Sequence, residues 1–191
     1  MTTDAKVDTS FMLRNVRLSF PTLFVAEQFD GQGAFNYSAS FLIDPGSPND
    51  KAIRAAIKKA AEAAWKDKAA AILKSIDGQS MKYCYLDGNT KNYDGYEGKW
   101  VLSAKRPQDS GRPKVIDKDL SEISPEEGRP YGGCFVNAKV QVWGQYKGKG
   151  APGMRCSLIA VQFVADGESF GGAPPATADG FDSVEAEEDL S

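Results

Sequence analysis

The chain has 191 residues, 41% hydrophobic and 10% aromatic, with a formal net charge of -3; this describes a folded domain with a real core, not a disordered chain. It contains no histidine, which removes the commonest general base, the Ser-His and Cys-His nucleophile pairs and most zinc sites. No run approaches the roughly 20 apolar residues of a membrane-spanning helix, the N-terminal MTTDAKVDTS lacks a secretory signal, and three widely spaced cysteines (Cys84, Cys134, Cys156) fit small core thiols in a reducing cytoplasm.

Residues 1–10 are expected to be disordered. The stretch FMLRNVRLSF, Phe11 to Phe20, reads as a strand closed by Pro21. In AFNYSASFLI, Phe35, Tyr37, Ala39, Phe41 and Ile43 share one face by period-2 alternation, which predicts a second strand. One long helix follows. Ser47 is its N-cap, Pro48 opens its first turn, Ile53, Ile57, Ala61, Trp65, Ala69, Ile72 and Ile76 form its apolar stripe, and Gly78 stops it.

Short strands are expected around Lys82–Leu86 and Lys99–Lys105, on either side of a Gly/Asn/Asp-rich loop. An acidic, proline-containing connection (Asp117 to Glu127) comes next. Two strong strands, CFVNAKVQVW and MRCSLIAVQFV, finish the body. Five or so strands, Gly-rich turns and one helix between the second and third suit a small, partly open barrel.

Charge divides the chain at residue 165. Up to that point stand 23 basic and 18 acidic residues, net +5; beyond it stand eight acids and no cation. Residues 11–165 are therefore read as one domain, and 166–191 as a Gly/Pro linker leading to a disordered acidic tail with Asp182, Glu185, Glu187, Glu188 and Asp189. A basic body with an acidic tail suggests a protein that handles a polyanion and carries a mimic of it. A merely solubilising tail is the other reading of the same charge.

Four of the seven tyrosines lie in KYCYLDGNTKNYDGYEGKWVLSAKR, interleaved with cations. Cations for phosphates and planar rings for bases are what single-stranded nucleic acid requires. The candidates here are Lys82, Tyr83, Lys91, Tyr93, Tyr96, Lys99, Arg106 and Arg112. Core and stacking roles stay open for Tyr83, whereas Tyr93 and Tyr96, flanked by Asn, Asp and Gly, belong in a loop. In CFVNAKVQVW one face is small and apolar, and the other carries Phe135, Asn137, Lys139, Gln141 and Trp143, a stacking platform that Tyr146, Lys147 and Lys149 extend. The competing reading has the helix covering that second face.

Catalytic and metal patterns fail. GQYKGKGAPG does not match a phosphate loop, and DGNTKNYDGYEG departs from a calcium loop at its fifth, sixth and twelfth positions. Asp87, Asp94 and Glu97 leave a magnesium-dependent nuclease formally open, but Asp-Gly turns explain Asp87 and Asp94 more simply. No catalytic residue, metal ligand or cofactor is expected.

The order of motifs LRNVRLSFPTLF, YLDG, YEGKWVLSAK, RPKVID, RPYGGCFVNAKVQVW and LIAVQFVADGE, over residues 11–170, resembles a family of bacteriophage single-stranded DNA-binding proteins. The resemblance implies an OB barrel, mainly β, with an inserted helix. It implies a non-enzymatic protein that coats single-stranded DNA without sequence preference during phage replication and recombination, in the cytoplasm of the infected host. Double-stranded DNA would be a weaker ligand, since phosphate contacts carry no strand information. The acidic tail would compete with DNA and recruit phage replication or recombination proteins, although it lacks the terminal aromatic residue common in such proteins. A replisome adaptor working mainly through its tail is the alternative.

Overall fold

The computed structural model describes residues 7–170. Its strands are β1 (Ser10–Phe29), β2 (Gln32–Ile43), β3 (Tyr85–Asp87), β4 (Trp100–Pro107), β5 (Lys114–Ile116), β6 (Phe135–Gln145) and β7 (Gly153–Ala165). They run β3-β4-β2-β1-β6-β7-β5, and β4 also pairs in parallel with β7 through Lys105 and Ser157. That pairing closes β4, β2, β1, β6 and β7 into the five-stranded OB barrel. β3 and β5 are short additions outside the ring.

The helical segment lies between the second and third ring strands. Ser47 caps α1 (Pro48–Trp65), its hydroxyl accepting from the Asp50 amide at 3.2 Å. The expected single helix is interrupted: a 3-10 turn at Lys66–Lys68, entered by Lys66 at φ 54°, separates α1 from α2 (Ala69–Ile76). The predicted stripe is buried at Ile53, Ile57, Ala61, Trp65, Ala69 and Ile76 and joins one core with the inward faces of the strands. α1 closes the inner side of β6, where a side chain at Gly144 would come within 2.6 Å of the Ala64 Cβ. Cys134, Val136, Ala138, Val140 and Val142, on that inner side, are at most 1% exposed. The helix therefore does not cover the Phe135–Trp143 face.

Two boundaries differ from expectation. β1 does not end at Pro21 but continues to Phe29. Pro21 lies where the β1–β2 ladder slips between Ser19 and Thr22, so its missing N–H interrupts no regular pairing. The turn joining β1 to β2 is Asp30-Gly31, both at positive φ, the two-residue hairpin chemistry that matches strand twist. Because β4 pairs with β2 only from Asn36 onward, the hairpin beyond that point is a two-stranded arm.

The second boundary is the C-terminal one. Residues 166–170, assigned above to the linker, pack on the barrel. The Tyr131 hydroxyl donates to the Asp166 carboxylate at 2.8 Å, and Arg17 donates to the Glu168 carbonyl at 2.7 Å. The Phe170 amide donates to the Gly132 carbonyl at 3.0 Å, and its ring lies under the Arg17 guanidinium at 4.1 Å. At the other end, the Thr9 hydroxyl donates to the Val142 carbonyl and Ser10 pairs with Gln141, so the sheet begins inside the expected disordered segment. Residues 1–6 and 171–191, including the tail acids Asp182, Glu185, Glu187, Glu188 and Asp189, lie outside the described residues.

Beside the barrel a buried carboxylate ties helix to sheet. Asp50 is 6% exposed. It accepts from the Tyr85 hydroxyl at 2.6 Å, the Gly46 amide at 2.8 Å and Arg54 Nε at 2.8 Å. Burial pushes its pKa up, but these hydrogen bonds and the Arg54 charge outweigh that and hold it below the usual value. Arg54 in turn lies over the rings of Tyr85 and Trp100, at 5.3 and 4.7 Å.

Candidate nucleic-acid interface

A concavity of about 1000 Å³ forms a groove across the outer face of the barrel. The alternation of β4 builds its floor. Leu102 and Ala104 point into the core, whereas Val101, Ser103, Lys105 and Pro107 line the groove. One wall is the arm, with Phe29 and Asn36. The opposite wall is the hairpin joining β6 to β7, with Trp143, Gln145, Lys149 and Arg155. The loop from β3 to β4 supplies Lys91, Tyr93 and Tyr96.

Among the described residues, four cations line the groove (Lys91, Lys105, Lys149, Arg155) and no carboxylate does. Its exposed rings are Trp143 (44%), Tyr93 (53%), Phe20 (58%) and Phe29 (68%). Trp143 is held from below by its Nε1, which donates to Ser157 Oγ at 3.1 Å. Tyr93 stands edge-on to Phe20, with centroids 4.9 Å apart. Lys105 Nζ sits 5.9 Å from the Phe29 ring centroid.

Hydrogen bonds organise the β6–β7 hairpin in advance. Gln145 Nε2 donates to the Lys149 carbonyl at 2.9 Å and to that of Lys147 at 3.3 Å. Arg155 donates to Gln145 Oε1, and to the Met81 and Gly150 carbonyls at 2.7 and 3.3 Å. All these acceptors are neutral, so the Arg155 charge still projects into the groove.

Tyr83, Tyr96, Cys84 and Cys156, which line the groove, stay neutral. Burial pushes the Tyr83 hydroxyl up to about 12, with Cys84 and Asp77 adding to it. Burial also raises the Cys84 thiol to about 12 and lifts Cys156 and Tyr96 above their usual values. None of these groups places a negative charge in the path of a polyanion near neutral pH.

The structure sorts the candidates read from the sequence. Lys91, Tyr93 and Trp143 meet in the groove, and Tyr146, 65% exposed, stands in the same β6–β7 hairpin with Lys147 Nζ 5.4 Å from its ring centroid. Tyr83 lines the groove half-buried. Tyr96, expected in an open loop, is 3% exposed and donates to Ser19 Oγ at 2.8 Å, so it braces the wall under Tyr93. Lys82 lies outside the lining, and Lys99 is paired with Asp44. Arg106 faces away from the groove and donates to the Gly111 and Ser110 carbonyls at 2.7 and 2.8 Å, bracing the loop after β4. Arg112 lies beside Phe24, in a separate small pocket with Lys114.

Lys139 is exposed outside the groove. Phe135 occupies the far end of β6 from Trp143, about 26 Å away at the usual rise per residue, and is partly buried. Of the outer-face residues Phe135, Asn137, Lys139, Gln141 and Trp143, Trp143 alone lines the groove.

Sequence reasoning passed over Phe20, Phe29 and Arg155, and kept Lys105 and Lys149 among the surrounding cations rather than among the contacts. Period-2 alternation applied to WVLSAKRP separates Lys105 from Arg106 and was the available signal for one of them. Phe20 turns outward at the β1 slip, at φ 46°, and Phe29 reaches the groove through the arm; neither placement has a local sequence signature.

Among the described residues no group of three His, Cys, Asp or Glu is placed to hold a metal ion. Asp87 accepts from the Asn89 amide at 2.9 Å as a turn residue. No helix of the described residues is long and apolar enough to cross a membrane.

Comparison with known proteins gives concordant findings. The family described as the Enterobacter phage Enc34 ssDNA-binding protein matches residues 9–191. Protein p50 of Acyrthosiphon pisum secondary endosymbiont phage 1 is 44% identical over 183 residues, covering 93% of this chain and 96% of that protein. The single-stranded DNA-binding protein from bacteriophage Enc34, solved in complex with ssDNA, superposes with a TM-score of 0.70 at 25% identity, over 85% of this chain and 90% of that one. Gp2.5, a single-stranded DNA-binding protein encoded by bacteriophage T7, shares the fold with a TM-score of 0.52 at 16% identity, over 93% and 100% of the two chains.

Proposed function

The chain belongs to the family of the Enterobacter phage Enc34 ssDNA-binding protein, and from that membership we propose that it is a non-enzymatic protein that coats single-stranded DNA without sequence preference in phage replication and recombination, inside the infected host. One observation carries the reading: a groove lined by four cations, four exposed rings and no carboxylate among the described residues. Lys91, Lys105, Lys149 and Arg155 take phosphates. Trp143, Tyr93, Phe29 and Phe20 stack on bases, each base–ring contact contributing about 1–3 kcal/mol. Tyr83 and Tyr146 border this path. Lys82, Lys99, Arg106, Arg112, Phe135 and Lys139 are secondary to it, because they are already engaged or stand elsewhere.

The acidic tail competes with DNA for the same cations and, once displaced, recruits replication or recombination proteins. Its support is electrostatic and positional. Phe170, the last described residue, packs beside Tyr96 under the groove wall, so the tail's acids start at high effective concentration near the groove.

Fluorescence anisotropy of a labelled oligo-dT, with matched duplex DNA as control, tests both claims. Full-length protein should prefer the single strand, and log Kobs should fall against log salt with a slope of about -3 for four phosphates. A chain ending at residue 170, which keeps the packed 166–170 segment, should bind more tightly than the full chain. Salt-insensitive binding or equal affinity for duplex would overturn the groove reading; unchanged affinity after the cut would overturn tail competition.

A further inference from the structure

A second pocket of about 380 Å³ opens off the end of the groove and differs from it in chemistry. The Phe20–Tyr93 pair is the partition, since both rings line both cavities. Beyond them the pocket holds Asn92, Asp94 and Ser19, and no lysine or arginine lines it among the described residues. Its volume is at the small end of ligand sites, about 300–1000 Å³.

The local backbone fixes the polar pair. Residues 93–96 form a turn in which the Tyr96 amide donates to the Tyr93 carbonyl at 3.3 Å. Gly95 sits at φ 80°, and a side chain there would come within 2.6 Å of the Phe170 ring. Only glycine fits, and the packed turn holds Asn92 and Asp94 beside Tyr93 at the pocket wall.

A cavity with aromatic walls, an amide and a carboxylate but no cation repels phosphate. It accepts a flat, uncharged ring that presents N–H donors. We infer that it is a base-reading subsite that takes a guanine turned out of a strand lying in the groove. Guanine alone among the DNA bases presents adjacent N1–H and N2–H donors on its Watson–Crick edge, which the two oxygens of one carboxylate can accept together. Asp94 supplies that carboxylate, one ring of the edge-on Tyr93–Phe20 pair supplies a stacking face while the other meets the base at its edge, and Asn92 can donate to O6. Unstacked bases are read by this combination of edge hydrogen bonds and aromatic stacking elsewhere. The inference rests on the single-stranded DNA reading and adds one guanine-preferring position to a groove otherwise indifferent to sequence.

The test is competition against labelled oligo-dT of about 12 nucleotides, using the full chain at one salt concentration. The competitors are unlabelled oligo-dT, the same length with every third thymine replaced by guanine, and a third in which those guanines are hypoxanthine, which lacks the N2 amine. The guanine oligomer should compete at about tenfold lower concentration, the size of one bidentate base contact. Asp94→Ala should abolish that advantage and leave competition by oligo-dT unchanged. Equal competition by all three oligomers, or a guanine advantage that survives Asp94→Ala, overturns the subsite and leaves the groove standing. Failure of labelled oligo-dT to bind at all overturns the groove reading on which it depends.

Discussion

The groove and the helix-side cluster around Asp50 are built from the same residue types and do opposite things. At Asp50, the Tyr85 hydroxyl and Arg54 Nε donate to one buried carboxylate, and the Arg54 guanidinium lies over the Trp100 ring. In the groove, cations meet no carboxylate among the described residues, and four rings stay exposed. What separates a candidate binding cation from a structural one on these two surfaces is therefore not its type or its place in the sequence, but whether the fold has already set a carboxylate against it. Lys99 and Lys105 stand six residues apart on opposite sides of that division.

The largest effect should come from opening the closed side. Asp50→Ala leaves the buried Tyr85 hydroxyl without its acceptor and half-exposed Arg54 without its carboxylate, and should cost about 1–3 kcal/mol of stability, read as a lower midpoint in urea unfolding, while the refolded protein binds oligo-dT as before. The same carboxylate sets an acid limit. Its folded pKa lies below the ordinary 3.8, so its contribution is fully present above that value and is lost as pH falls through the depressed folded value. In Asp50→Asn that part of the acid sensitivity should disappear. A variant as stable as the parent would break the contrast at its structural end.

On the open side, Trp143→Ala should weaken oligo-dT binding by about 10- to 100-fold, the worth of one stacked base, with little change in stability because the ring is 44% exposed. Phe135→Ala, at the other end of β6, should leave binding nearly unchanged. Equal losses in the two variants would restore the continuous platform that the strand alternation suggested.

That alternation shows how far sequence carries. The inner face of β6, the apolar face of β2 from Tyr37 to Ile43 and the cap at Ser47 were legible because each rests on neighbours in the chain. The barrel itself followed from strand count and turn chemistry. What stayed hidden depends on contacts between distant segments. The arm brings Phe29 opposite Lys105, and the β1 slip exposes Phe20. Burial turns Tyr96 from a stacking candidate into a brace hydrogen-bonded to Ser19, 77 positions away. Likewise, Gly and Pro in the 166–191 segment marked a linker, yet Tyr131, Arg17 and Gly132 had already fastened its first residues to the barrel.

The smallest predicted effect is the most discriminating, because it compares two lysines of the same stretch. Lys105→Ala removes a cation from the groove floor and should reduce the salt slope by about 0.7, with a loss of affinity of a few-fold. Lys99→Ala removes a cation that Asp44 already neutralises, so the slope should stay as it is. The exposed Lys99–Asp44 pair is worth little to stability, so neither variant should confuse the reading by unfolding. If both lysines change the slope equally, DNA is drawn by the net charge of the whole body. If only Lys105 does, the phosphates follow the groove, and the charge that counts is the charge the fold has left without a partner.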